Sequence, residues 1–147
     1  MEGLIPRSMR EDAVLEGNIY FFEKGTPIGV QDHMHVCIKR KNKVVIFTTC
    51  SSKLDTAKRL IQHNGWNSLT LPFFKPDEAT NKFDEETYIN CNSPYIISVP
   101  EFVDLIDQGL VRRVAGELTD KDLKLIKYGI QASPLVVRKI KKCLNKS

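Results

Sequence analysis

The sequence predicts an α+β, mainly β protein: a small antiparallel barrel or coiled half-barrel with peripheral and C-terminal helices. Three observations carry this expectation. About six short runs rich in β-branched and aromatic residues are punctuated by turn residues, without the regular alternation of strand and helix that builds a parallel sheet. The run GNIYFFE at residues 17–23 is apolar on both faces, with Ile19 and Phe21 on one and Tyr20 and Phe22 on the other, as a buried or curled strand would be. Neither a G-x-G-x-x-G nor a Walker loop is present. Closing such a sheet would remove its vulnerable edges.

The elements follow in order. After the first strand, Gly25-Thr26-Pro27-Ile28-Gly29 breaks either periodicity and reads as a loop that borders a groove. Residues 34–38 and 44–49 are strands of an antiparallel hairpin joined through the polar segment 39–43. Thr-Thr-Cys-Ser-Ser then leads into a helix over about 53–63, capped by Ser51 or Ser52, with Leu54, Ala57, Leu60 and Ile61 at helical spacing and Asn64-Gly65 as its end. Trp66 reads as a lid on a core edge or as a base-stacking platform. Residues 68–74 carry a strand signal that Pro72 confines to an edge or ends early, and the polar stretch 75–86 reads as a loop. Strands are expected at 87–91 and 95–99, then a short helix opening at Pro100 and stopped by Gly109. A last strand over 110–115 precedes a helix capped by Thr119 and an amphipathic basic helix over 135–144.

A chain of 147 residues with 41 % hydrophobic content supports one domain, assigned to 14–147, behind a flexible N-terminal segment at 1–13. No apolar run approaches the roughly 20 residues of a membrane span, and the first residues lack an apolar signal core, so no membrane partner is expected and the cytoplasm is the expected location. The net charge of +4 is a mild bias toward acidic partners, nucleic acid included. The four cysteines, Cys37, Cys50, Cys91 and Cys143, form no CxxC pair and lack histidines at zinc-finger spacing, so neither a metal, another cofactor nor a disulfide is expected.

The segments GNIYFF, the Gly/Pro loop, HVCI, VVIFTTCSSK, YINCNSPYIISVPEF and VAGELTDKDLKLIKYGIQASPLV, taken together and in this order, resemble the MazF/PemK (CcdB-like) toxin family. The resemblance covers roughly residues 17–130. It implies an SH3-like barrel, a homodimer, metal-independent cleavage of single-stranded RNA, and neutralisation by an acidic antitoxin protein. It puts the family's arginine close to His33 or His35, and the family's Thr/Ser on Thr49, with Ser51 as the alternative. No arginine lies between Arg10 and Arg40, so two histidines stand where the family carries its cation.

Metal-free RNA cleavage needs a base for the 2′-hydroxyl, charge or donors for the phosphorane, and an acid for the 5′-oxygen. His33 and His35 lie two apart on a strand, share a face, and titrate near neutrality. Thr49 would donate a hydrogen bond and Lys53 or Lys41 would supply charge; Lys39, Lys41, Ser51 and Ser52 are the expected substrate-binding residues. The blander reading makes one histidine a hydrogen-bonded core-edge residue and the other merely exposed. Cys91 as a nucleophile is a lesser reading beside an inert buried thiol. A toxin-like endoribonuclease is thus the leading expectation, and a non-catalytic RNA- or protein-binding module of the same fold the alternative.

Overall fold

A computed structural model of the chain describes residues 5–64, 67–76 and 83–145. The expected helix end at Gly65 and lid at Trp66 lie outside the described residues, as does half of the polar loop at 75–86. In chain order the elements are α1 (Arg7–Asp12), β1 (Asn18–Phe22), β2 (His33–Lys41), β3 (Val44–Ser51), α2 (Leu54–Asn64), β4 (Phe73–Phe74), β5 (Thr87–Ile89), β6 (Tyr95–Ser98), α3 (Val99–Asp107), β7 (Val111–Glu117), α4 (Asp120–Ala132) and α5 (Arg138–Asn145).

The central hairpin is longer and tighter than the sequence predicts. Val44 to Thr49 pairs antiparallel with β2 across a turn at Asn42 and Lys43, where Asn42 takes the left-handed conformation (φ 55°) that its short polar side chain tolerates. A register shift between Cys37 and Lys39 marks a bulge, and the adjacent Cys37 and Ile38, both fully buried, belong to the core clusters on opposite faces. The region expected to be a strand at 68–74 is instead a 3₁₀ turn at Ser68–Thr70 followed by the two-residue β4. Pro72 has no N–H to give a ladder, yet its carbonyl accepts from Ile89 N at 3.0 Å.

The strands form one seven-stranded sheet in the order β4-β5-β3-β2-β1-β7. The outer edge of β3 is divided: Val44 to Phe47 pairs with β6, and Cys50 and Ser51 pair with β5. Among the described residues, nothing pairs β4 or β6 with β7. The sheet is open and the fold is mixed α/β, which corrects the expectation of a closed, mainly β, SH3-like barrel of the MazF/PemK type.

The physical reason is that helices cover the sheet where closure was expected to. On one face, Tyr20, Phe22, Cys37, Val45, Phe47 and Ile97 pack with Phe102 and Val103 of α3. Phe102 lies 4.6 Å from the Phe47 ring centroid and 4.8 Å from Tyr20, and burying one such side chain is worth about 2–3 kcal/mol. On the other face, Ile19, Val36, Ile38, Ile46 and Cys50 pack with Ile126 and Ile130 of α4 and Ile140 and Leu144 of α5. Strands apolar on both faces therefore report two helical layers rather than curling. Gly129 lets α4 approach: a Cβ there would stand 2.5 Å from Leu69 O and 2.9 Å from Cys91 Sγ.

The helix starts are legible in residue type. Ser98 Oγ accepts from Glu101 N at 3.2 Å at the start of α3, and Thr119 with Asp122 forms a reciprocal capping box on α4. At the N-terminus, α1 is tied to α3 by Arg7–Asp104 (2.9 Å) and by the Arg10–Asp107 pair, while Arg40 of β2 donates to the carbonyls of Glu11 and Val14. Among the described residues no helix is long and apolar enough to cross a membrane.

Candidate functional site

The N-terminal end of β2, the C-terminal end of β3 and the start of α2 converge on an open groove of about 460 Å³. His33 comes from β2, Thr49 and Ser51 from alternate positions of β3, and Lys53 and Thr56 from the start of α2. The β1–β2 loop adds Gly29 and Val30; Tyr88, Asn90, Ser93 and Tyr95 complete the wall. A second cavity of about 400 Å³ shares His33, Ser51 and Lys53 and adds Phe21, Ser52, Asp32, Asp84 and Glu85. The three shared residues form a polar ridge between a groove whose remaining lining is uncharged and an acidic one.

The two histidines have opposite fates. His33 is half-buried and borders both cavities. Its Nδ1 lies 2.9 Å from Gln31 O; a carbonyl only accepts, so Nδ1 carries the proton and Nε2 is the basic atom of the neutral ring. His35 is 0 % exposed, stacked on Phe22 with ring centroids 3.9 Å apart. Its Nε2 lies 2.8 Å from Val30 O and its Nδ1 2.8 Å from Tyr95 Oη. Burial lowers the His35 pKa to about 4, against a small upward pull from the Val30 hydrogen bond and with a further push down from His33. Consecutive carbonyls, Val30 and Gln31, therefore hold the two rings in opposite tautomers.

Thr49 is half-buried opposite His35 in the β2–β3 register, and its carbonyl accepts from Asn90 N at 3.0 Å. Ser51 Oγ accepts from Lys53 N at 3.2 Å, a two-residue turn just ahead of α2, which begins at Leu54 rather than at Lys53. Lys53 is exposed and makes no ion pair among the described residues. Ser52 is exposed and borders only the acidic cavity of the two. Lys39 and Lys41 do not join the site. They lie toward the opposite end of β2, about 20 Å and 26 Å from His33 at roughly 3.3 Å per residue.

Burial disfavours the thiolate at three of the four cysteines. Cys91 is fully buried, and desolvation pushes its thiol up to about 12; Cys37 is raised likewise to about 12 and Cys50 is also raised. All four cysteines are free. Asn92 is a structural link: its Nδ2 donates to Thr70 Oγ1 at 2.9 Å, and its Oδ1 accepts from Ser133 Oγ at 2.6 Å. Among the described residues no three His, Cys, Asp or Glu side chains gather as a metal site would need.

Sequence reasoning missed Tyr88, Ser93 and Tyr95 as wall residues. The available signal was the position of Tyr95 at the head of the strand YIIS, but its bond to His35 spans 60 residues and depends on β6 pairing with β3. No protein-family model matches the sequence, and no curated protein matches it significantly.

Proposed function

We propose that the chain is a metal-independent endoribonuclease that cleaves single-stranded RNA in the cytoplasm at the ridge between these two cavities. The observation that carries the reading is the meeting of His33, Ser51 and Lys53 on a wall shared by two open cavities. A scissile phosphate on that ridge would have room for a nucleotide on either side. His33, whose Nε2 has no partner among the described residues, accepts the 2′-hydroxyl proton as O2′ attacks phosphorus. Lys53 neutralises the phosphorane and gives a proton to the departing 5′-oxygen, and the hydroxyls of Thr49 and Ser51 donate to the phosphoryl oxygens. The products are a 2′,3′-cyclic phosphate and a 5′-hydroxyl. Backbone N–H groups at the start of α2 favour an anion at the same place.

The test is incubation of the purified protein with single-stranded RNA in EDTA. Cleavage is expected from the wild type, reduced about 100-fold or more by His33→Ala and by Lys53→Ala. Equal cleavage by either variant would overturn the assignment. One observation favours a second reading: with His35 buried and neutral, the groove holds a single accessible imidazole. A non-catalytic RNA-binding module would bind the same RNA through Lys53 and leave it intact.

A further inference from the structure

The chain of hydrogen bonds behind the groove fixes the polarity of one hydroxyl. His35 is buried against Phe22, and its ring contacts are Phe22, Tyr95 and the Val30 carbonyl, none of them a carboxylate that would stabilise an imidazolium. The neutral ring carries one proton. That proton is on Nε2, because the Val30 carbonyl at 2.8 Å can only accept. Nδ1 then offers only a lone pair, so the contact of 2.8 Å with Tyr95 is Tyr95 O–H donating. A phenol has one proton, and Tyr95 has committed it to the interior.

What remains at Tyr95 Oη for any further partner is therefore lone pairs alone. No described group donates to its Oη, although the residue borders the cavity beside Thr49 and Asn90. Gly29 lets the β1–β2 loop come close to this hydroxyl. It sits at φ 70°, and a Cβ there would be 2.8 Å from Tyr95 Oη and 2.9 Å from His35 Cε1. An unused acceptor on a groove wall is matched by a ligand O–H or N–H.

We propose that Tyr95 is a specificity-determining residue of the groove, an obligate hydrogen-bond acceptor for a donor group of the bound nucleotide, and that His35 is the positioning residue that makes it so. The donor is a ribose 2′-hydroxyl or a base amino group. The inference rests on the reading of the groove as an RNA site. It assigns His35 a role exerted only through Tyr95, without contact with substrate.

The experiment is fluorescence anisotropy with labelled single-stranded oligonucleotides in EDTA, using His33→Ala protein so that cleavage does not intervene. The probes are RNA, the same sequence with 2′-fluoro or 2′-deoxy sugars, and RNA with inosine for guanine or purine for adenine. On this background, loss of the matching donor weakens binding about 3- to 10-fold, the worth of one neutral hydrogen bond. A drop with 2′-fluoro and 2′-deoxy sugars identifies the ribose as the source, and a drop with the desamino bases identifies the base. Adding Tyr95→Phe erases that preference. Adding His35→Phe frees the Tyr95 proton and also erases it, whereas His35→Asn, which keeps an acceptor near the Nδ1 position, retains it in protein whose thermal unfolding shows it folded. If Tyr95→Phe keeps the full preference while Lys53→Ala abolishes binding, the proposal fails and the RNA site stands. Absence of Lys53-dependent binding overturns both.

Discussion

Two residues apart on β2, His33 and His35 point to the same side of the sheet and are gripped by neighbouring carbonyls, yet one borders solvent and the other is sealed. The difference lies in what surrounds each ring. His35 sits where β1, β2, β3 and β6 run side by side, so Phe22 stacks on it and Tyr95 closes its edge. His33 is the first residue of its strand, and the neighbouring space is the pair of cavities. A shared face on a strand fixes direction; burial depends on how far the neighbouring strands extend. On the proposed function this contrast becomes a division of labour, with the outer imidazole meeting the substrate and the inner one holding Tyr95 in position.

The largest expected difference between the two comes from truncation. His35→Ala should destabilise the fold by about 2–4 kcal/mol, because it leaves a cavity beneath Phe22 and strands the Val30 carbonyl and the Tyr95 hydroxyl. His33→Ala should stay within about 0.5 kcal/mol. Urea unfolding of both variants checks this, and equal losses would break the contrast.

The pH dependence sharpens the same point. The pKa of His35 falls from 6.5 unfolded to about 4 folded, so between those values the unfolded chain binds the proton and the native one does not. Stability assigned to His35 is fully present above pH 6.5 and is lost as pH falls toward 4, by roughly 3 kcal/mol in all. His33, whose charge adds to the shift, should be replaced in a control. His35→Phe should flatten this limb of the stability curve; a limb of unchanged height would assign it to other groups.

Gly29→Ala is expected to cost about 1–3 kcal/mol, from the positive φ and from the approach to Tyr95 and His35. A crystal structure of the variant should have the β1–β2 loop lifted from Tyr95. At the small end, Lys39→Ala and Lys41→Ala should change RNA affinity far less than Lys53→Ala, since they sit away from the groove along β2. An equal effect in a filter-binding assay would extend the RNA path along the hairpin.

Much of the local structure was legible in residue types. Thr119 with Asp122, Ser98 ahead of Pro100, and the hairpin around Asn42 each announce themselves because the cause is within a few residues. The open sheet was not legible. Alternating apolar residues such as Ile19 and Tyr20 report that both faces are covered, but not whether helices or the sheet itself cover them. The division of β3 between β5 and β6 is equally invisible, as pairing partners over 40 residues away leave no local mark.

For the site, the grouping of His33, Thr49, Ser51 and Lys53 follows from a hairpin feeding a helix, which sequence can express. The burial of His35 does not, since it requires Tyr95 and Phe22 to be brought to its ring from two other strands. Lys39 and Lys41 mark the other gap: proximity in sequence to the histidines became distance once the intervening residues were extended.

The most direct test of the account is a product analysis. Single-stranded RNA is incubated in EDTA with wild-type protein and with His33→Ala, and the new ends are identified by mass spectrometry. The account predicts 2′,3′-cyclic phosphate ends from the wild type and about 100-fold fewer from His33→Ala, with both proteins equally folded. Uncut RNA with the wild type, or the same ends in the same yield from both, would contradict it.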